Sequence, residues 1–205
     1  MKPDEIENLS FKIIEQEVGE HNLSHEQWLI VRRMIHTSAD FEYKDMVRFH
    51  PDAIKSGLDA IRSGKKVITD TNMARVGIRQ KELDLFGAST VCFMNDQMIH
   101  RNAKTAGVTR ARVAVDMAVG EMEGGIYVIG NAPTALMRLT ELVKEKKARP
   151  ALIIGLPVGF VNAAESKAVL MELDYPYISN VGRKGGSNLA ASVVNALAIM
   201  AAEEA

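Results

Sequence analysis

The sequence contains almost no cysteine and no long hydrophobic run. Its one cysteine, Cys92, rules out a disulfide framework and a cysteine zinc site. Cys92 lies in the apolar run Thr90 to Phe93, where a buried, unreactive thiol is predicted. No apolar segment approaches the roughly 20 residues needed to cross a bilayer. We therefore expect a soluble, cytoplasmic protein with no membrane contact.

The sequence also lacks an excess of charge of either sign, because 25 Lys and Arg residues accompany 26 Asp and Glu residues. A formal net charge of −1 provides no overall field for nucleic acid, so nucleic acid is not an expected partner. Any anionic ligand must be held by a local basic patch. Hydrophobic residues make up 47% of the chain, and we expect one domain over residues 1–205 with a buried core.

The motifs of several enzyme classes are absent. No Gly-x-Gly-x-x-Gly follows a predicted strand and no Gly-x-x-x-x-Gly-Lys-Ser/Thr occurs, which disfavours nicotinamide and nucleotide triphosphate enzymes. There is no Gly-x-Ser-x-Gly elbow and no cysteine near a histidine, so acyl transfer by a nucleophile has no support. Acid–base or rearrangement chemistry on an anionic ligand remains.

The hydrophobic pattern predicts an α/β fold. The N-terminal third has helical periodicity, with one helix beginning at Pro3 and a second running from a capping box at Ser24 to His36. Later apolar runs are typical of strands covered on both faces. We predict a doubly wound, mainly parallel sheet of about five strands, near residues 67–69, 91–93, 126–129, 152–154 and 175–178. Helices are predicted near residues 51–63, 109–120, 133–146, 163–172 and 187–203. Pro176 in the last run favours an edge or a ragged strand end.

Ligands of such sheets bind beyond the carboxyl ends of the strands, where three predicted loops contain glycine. The first loop, residues 130–134, would offer free backbone N–H groups to an anion. The second, residues 155–160, precedes Glu165 and Lys167, which are expected on a solvated helix face. Ordinary strand-to-helix turns are the alternative for both loops.

The third loop, residues 181–187, is the most suggestive of the three. It places Arg183 and Lys184 beside Gly185 and Gly186, and adjacent cations with glycines suit a backbone nest for anions. Ser187 follows as a predicted N-cap of the last helix. Because no phosphate loop is present, we expect carboxylates as the anion, which an arginine binds with two parallel hydrogen bonds.

His36 is the candidate proton donor. It ends the second predicted helix, where the helix dipole favours a cationic imidazole. A structural histidine is the alternative. His21 and His25 have metal-ligand spacing, but the cap at Ser24 separates them and we predict no metal site. Arg101 is a further candidate for the rim of a ligand site.

Seven segments, in order along the chain, match one known family. They are Ser10 to Ile14, Arg33 to Thr37, Thr69 to Met73 with Gly77-Ile78, Thr109-Arg110, Gly130 to Leu136, Pro157 to Val161 with Ala163 to Lys167, and Gly182 to Ser187. On these segments the sequence resembles the precorrin-8X (cobalt-precorrin-8) methylmutases over nearly its whole length. Two positions depart from the family pattern: Asn162 stands where glycine is usual and Ala39 where some members have glycine. Asn tolerates a left-handed backbone, whereas Ala39 changes the loop beside His36.

The resemblance implies an isomerase that uses no cofactor. Its members move a methyl group from C-11 to C-12 of precorrin-8X or cobalt-precorrin-8, giving hydrogenobyrinic acid or its cobalt counterpart, cobyrinic acid. The resemblance implies that His36 protonates the macrocycle to ease a 1,5-sigmatropic shift, and that the protein is a homodimer with sites near the subunit interface. Whether the natural substrate contains cobalt stays open, since no residue need ligate the metal.

Nine residues are candidates for binding this polycarboxylate substrate. They are Ser10, Asp70, Arg110, Gly130, Asn131, Arg183, Lys184, Gly185 and Ser187. Structural roles are the alternative for Ser10 and Asp70. Two other functions stay open: a corrinoid-binding carrier, and an unrelated Rossmann-like enzyme that binds a nucleotide.

Overall fold

The computed structural model describes residues 2–203, apart from the side chains of Pro3 and Asp4. Its helices are α1 (Pro3–Val18), α2 (His25–Ser38), α3 (Tyr43–Met46), α4 (Ala53–Arg62), α5 (Asn72–Gly77), α6 (Gln80–Asp84), α7 (Gln97–Ala106), α8 (Arg110–Ala118), α9 (Pro133–Lys144), α10 (Ala163–Met171) and α11 (Ser187–Glu203). The strands are β1 (Val47–Phe49), β2 (Lys66–Thr69), β3 (Ser89–Val91), β4 (Ile126–Ile129), β5 (Leu152–Gly155) and β6 (Tyr177–Asn180). Every helix in the described part of the chain is too short or too polar to cross a bilayer.

The six strands form one sheet in the order β1-β6-β5-β4-β2-β3. All neighbours are parallel except β1, which runs antiparallel to β6. After β2 the chain goes outward to β3 and then returns to β4 on the other side of β2. The strand order therefore reverses between β2 and β4, and the carboxyl ends of these two strands border the crevice where ligands of such sheets bind.

Helices cover both faces of the sheet. Val128 and Ile154 lie on one face, in a core shared with α2, α4 and α11. Tyr127 and Ile129 lie on the opposite face, in a core shared with α8, α9 and α10. All four residues of β4 and all four of β5 are buried, as expected for apolar runs covered on both sides. The predicted doubly wound fold is confirmed.

Several element boundaries differ from the prediction. A sixth strand, β1, pairs with β6, so β6 is not an edge strand. Pro176 lies just before β6, where its carbonyl accepts a 3.0 Å hydrogen bond from the Ile153 N–H; proline has no N–H to donate there. β3 ends at Val91, so Cys92 is outside the strand and only half-buried. The prediction of a buried thiol was wrong.

Candidate active site

Asp70 and the loop after β4 meet at the point where the strand order reverses. The Asp70 carboxylate accepts three backbone hydrogen bonds: Oδ1 from the N–H of Gly130 (3.0 Å), and Oδ2 from the N–H groups of Asn131 (2.9 Å) and Ala132 (2.8 Å). The side chain is buried. Asp70 therefore has a structural role, because it fixes the loop that begins at Gly130.

This arrangement corrects one expectation from the sequence. The N–H groups of residues 130–132 were predicted to be free for an anionic ligand, but they already bind the anion of Asp70. Burial raises the pKa of the Asp70 carboxyl above its ordinary value, and the three N–H donors oppose that shift. Only an ionised carboxylate offers acceptors on both oxygens, so the hydrogen bonds favour the charged form.

Ser187 packs directly against Gly130. A Cβ added to Gly130 would lie 2.6 Å from the Ser187 Cα and 2.9 Å from the Gly186 carbonyl oxygen, so this close approach requires glycine. The Oγ of Ser187 lies 2.8 Å from the Oγ1 of Thr71. The sequence predicted Ser187 as the N-cap of α11, but Ser187 is the first residue of that helix. Its hydroxyl pairs with Thr71 in the loop after β2.

The glycine loop, residues 181–186, connects β6 to α11. Lys184 in this loop contacts the carboxylates of Asp40 and Glu42, the latter at 2.9 Å. The Lys184 ammonium holds the pKa of the Asp40 carboxyl below its usual range. Lys184 is therefore already paired with protein carboxylates, and it anchors the segment that follows α2 to the glycine loop.

Arg183 is the cation of the glycine loop that remains available to a ligand. Its side chain is exposed, and its guanidinium carbon lies 5.7 Å from the centre of the Phe160 ring in the loop after β5. No described residue forms an ion pair with it within 4.0 Å. Phe160 is 85% exposed, so the pair presents a cation beside an open aromatic surface.

Lys167 is buried, contrary to the expectation of a solvated helix face. Its side chain is 0% exposed, and its Nζ donates to the Lys184 carbonyl (2.6 Å) and to Asn180 Oδ1 (3.2 Å). Burial lowers the pKa of Lys167 to about 8. The spacing of Ala163, Lys167 and Leu170 places all three on the buried face of α10, a signal that was available in the sequence.

His36 lies in the last turn of α2 with its side chain exposed. The imidazole packs edge-on against the ring of Phe11 from α1, with 5.2 Å between ring centres. Within residues 2–203, no side chain or backbone group hydrogen-bonds to the imidazole. Ser10 precedes Phe11, but its hydroxyl donates to the Ile6 carbonyl (2.9 Å) one turn earlier in the helix.

Arg110 begins α8 next to the loop after β4. The preceding Thr109 caps α8, and its Oγ1 lies 2.8 Å from the Oγ1 of Thr134 at the start of α9. The exposed Arg110 side chain contacts His100 of α7, with 2.8 Å between Nη1 and Nε2. This hydrogen bond needs a neutral His100 that accepts on Nε2.

The candidate residues therefore fall into two groups. Contacts bring Asp70, Gly130, Asn131 and Ser187 together at the switch between β2 and β4, and the glycine loop meets them where Gly186 and Ser187 pack against Gly130. His36 and Ser10 lie at the α1–α2 side, linked to the glycine loop through Asp40 and Lys184. A cavity of about 430 Å³ between α1, α2, α6 and α11 is lined by neither His36 nor Arg183.

Comparison with known proteins shows the family of this chain. The sequence profile described as precorrin-8X methylmutase matches residues 5–200. The chain belongs to the precorrin-8X methylmutase family. The family match confirms the resemblance found in the sequence, and members of the family are isomerases of corrin biosynthesis.

Individual members are similar over nearly their whole length. The cobalt-precorrin-8 methylmutase of Priestia megaterium is 47% identical over 98% of this chain and 89% of its own length. The enzyme of the same name from Leptospira interrogans is 41% identical, over 97% and 94%. A solved structure, the precorrin-8x methyl mutase of Thermus thermophilus, superposes with a TM-score of 0.92 at 43% identity, over 98% and 97%.

The two departures from the methylmutase pattern both have left-handed backbone. Asn162, where the resemblance predicts glycine, has φ +59° immediately before α10, a conformation that asparagine tolerates. Ala39 has φ +53° at the end of α2, where alanine adopts the same region at a cost of roughly 1 kcal/mol. Alanine therefore makes the left-handed turn beside His36 in this chain.

Proposed function

We propose that this methylmutase converts precorrin-8X or cobalt-precorrin-8 into hydrogenobyrinic acid or its cobalt counterpart, with His36 as the acid. The methyl group moves from C-11 to C-12 within one molecule, so the reaction needs no second substrate. Similar proteins bear both substrate names, and the proposal covers both forms of the macrocycle.

The observation that carries the proposal is the state of the His36 imidazole. It is exposed, it is oriented by the Phe11 ring, and no described residue binds its ring nitrogens. A donor that transfers its proton to a ligand needs a free N–H within hydrogen-bond reach of that ligand. The link from Asp40 to Lys184 keeps the end of α2 beside the glycine loop, which supports a single ligand in contact with both.

Protonation of the macrocycle draws electron density away from C-11. This lowers the barrier to a 1,5-sigmatropic methyl shift. The shifted intermediate then loses a proton, and the His36 imidazole takes up a proton again. Only interactions that strengthen in the transition state accelerate this step. Positioned acid catalysis of this kind contributes typically 10²–10⁴-fold to a rate.

The described surface suits the two chemical features of the substrate. Its peripheral carboxylates require cations, and the exposed Arg183 and Arg110 are the candidate partners. Its broad ring requires an apolar surface, and large exposed hydrophobic side chains lie in the loops and short helix that follow β2 and β5: Met73, Val76, Val158, Phe160 and Val161. Isolated exposed hydrophobics need no explanation, but a set at one edge of a sheet marks a binding surface.

The proposal includes a homodimer in the cytoplasm, and one domain per chain. Support for the dimer comes from α1, where Ile6, Leu9 and Ile13 are each about half exposed at helical spacing. A row of this kind is usually covered by a partner in solution. The open surface around His36 in the single chain agrees with a site that a second subunit completes.

The experiment is an absorption assay of the purified protein with both substrates. Conversion of precorrin-8X or cobalt-precorrin-8 to the corrin chromophore supports the proposal and identifies the form of the substrate. A corrinoid carrier, the second candidate, binds hydrogenobyrinic acid without changing the spectrum of either precorrin. Binding without conversion of either substrate would overturn the assignment of an acid catalyst.

A further inference from the structure

Three backbone carbonyls of the glycine loop accept hydrogen bonds from neighbouring parts of the protein. The Val181 carbonyl accepts a 3.1 Å hydrogen bond from Asn180 Nδ2, and the Arg183 carbonyl accepts a 3.2 Å bond from the Gly159 N–H. The Lys184 carbonyl accepts two bonds, from Lys167 Nζ (2.6 Å) and Asn180 Nδ2 (3.0 Å). The buried side chains of Lys167 and Asn180 thus hold two of these carbonyls, and the loop after β5 holds the third.

These carbonyls orient the N–H groups of the next residues in the opposite direction. In a trans peptide, the C=O of one residue and the N–H of the following residue point in opposite directions, and no described peptide bond is cis. The N–H groups of Gly182, Lys184 and Gly185 therefore point away from the groups that bind the preceding carbonyls. No described group accepts a hydrogen bond from any of the three.

The buried Lys167 has an unusual environment, because no described carboxylate balances its charge. Its ammonium is fully buried, and no described carboxylate lies within 4.0 Å of it. A buried charge without a counter-charge is expensive. Its two acceptors are Asn180 Oδ1 and the Lys184 carbonyl. The hydrogen bonds of Lys167 therefore stabilise the conformation of the glycine loop.

We propose that Lys167 is a positioning residue of the methylmutase reaction. By holding the Lys184 carbonyl inward it presents the N–H of Gly185, together with those of Gly182 and Lys184, to a carboxylate of the tetrapyrrole. Unpaired N–H groups close together in one loop favour an anion, and Arg183 in the same loop supplies the positive charge. This inference rests on the proposed function, because it assigns one anionic group of that substrate to the loop.

Gly185 and Gly186 pack tightly against the loop after β5. A Cβ on Gly185 would lie 2.2 Å from the Leu156 carbonyl oxygen, so the backbone at this residue is pressed against the loop after β5. The Gly186 N–H donates to the same oxygen (2.9 Å). Lys167→Met removes the shorter of the two hydrogen bonds to the Lys184 carbonyl and leaves only the 3.0 Å bond from Asn180 Nδ2, so the peptide is held less firmly.

The test compares two ligands and two variants. Hydrogenobyrinic acid is titrated into the protein, followed by its methyl ester, in which the peripheral carboxylates are neutral. For Lys167→Met we expect the Kd of the acid to rise at least tenfold and the Kd of the ester to change less than twofold. The control Ile61→Val removes one buried methyl group from α4 on the other face of the sheet and should leave both constants unchanged.

The outcomes separate this inference from the proposed function. If the wild type binds the acid and Lys167→Met binds it equally well, the role of Lys167 is refuted and the proposed function stands. If both ligands lose affinity equally in Lys167→Met, the residue is merely structural and the inference fails. If the wild type binds neither ligand, the proposed function fails and the inference with it.

A second measurement serves if Lys167→Met does not fold. Amide resonances of Gly182, Lys184 and Gly185 are followed in the wild type while the acid and then the ester are added. Shifts of these three signals with the acid and not with the ester support the anion site. Unchanged signals at saturating acid overturn it.

Discussion

Asp70 and Gly130 face each other across the point where the strand order of the sheet reverses. Oδ1 of Asp70 accepts a 3.0 Å hydrogen bond from the Gly130 N–H, and its other oxygen binds the next two N–H groups. The crevice between β2 and β4 thus has a carboxylate built into its floor. These three N–H groups are therefore not available to an anionic substrate while they bind Asp70.

Asp70→Asn tests the importance of this carboxylate for stability. Asparagine offers one acceptor oxygen, so at least one buried N–H of the loop loses its partner, at roughly 1–3 kcal/mol. We expect the free energy of unfolding, measured in urea, to fall by about 2 kcal/mol. Asp59→Asn, at an exposed position on α4, is the control and should change it by less than about 0.5 kcal/mol. Equal effects of the two substitutions would contradict the assignment.

Gly130→Ala tests the close packing of the loop against α11. The added Cβ meets backbone atoms of Ser187 at 2.6 and 2.8 Å, and these atoms cannot rotate away. We expect a loss of about 1–3 kcal/mol in unfolding free energy, with reduced turnover. Gly120→Ala is the matched control, because nothing lies within 4 Å of its added Cβ. Normal stability and turnover of the Gly130 variant would show that α11 does not need this contact.

Lys167 predicts a particular dependence of stability on pH. The pKa of Lys167 falls from 10.5 to about 8 on folding, so between these values the unfolded chain binds more protons than the folded one. Stability therefore rises with pH across this window, and below about pH 8 the cost of the buried charge is constant. From pH 7.5 to 10.5 we expect the wild type to gain about 3 kcal/mol relative to Lys167→Met. A difference that stays flat across the window would place the ammonium in a solvated environment.

Lys184 tests the link between α2 and the glycine loop. Its partners Asp40 and Glu42 are partly exposed, and such pairs contribute typically less than 1 kcal/mol. For Lys184→Met we expect a loss of less than about 1 kcal/mol but a several-fold fall in turnover, because the segment after His36 loses its anchor. Lys55→Met, which breaks a surface pair on α4, should leave turnover unchanged. Equal turnover in both variants would remove the link from the mechanism.

The sequence predicted the sheet well where the chain is apolar throughout. β4 and β5 are such runs, and burial on both faces leaves no other pattern. β1 was missed because Val47, Arg48 and Phe49 form a short segment of mixed polarity, which becomes a strand only when β6 offers it an edge. Pairing with a strand 130 residues later cannot be read from local sequence.

The candidate site shows the same division. The glycine loop and His36 were predicted from their local chemistry, and their roles as site residues stay predictions. The pairing of Asp70 with residues 130–132 joins segments about 60 residues apart. Local sequence therefore could not show that those N–H groups already have an acceptor. Lys167 was misjudged because charged residues usually lie outside, although its spacing from Ala163 already placed it on the buried face of α10.

The most direct test of the account is the turnover of His36→Asn on the accepted substrate. Asparagine keeps a polar side chain of similar reach but cannot donate a proton as an acid. We expect kcat to fall by at least 100-fold, with unchanged binding of the corrin product and an intact fold by circular dichroism. His25→Asn, at the exposed first position of the same helix, should retain full activity. A His36→Asn enzyme with kcat within threefold of the wild type would contradict the assignment of His36 as the acid.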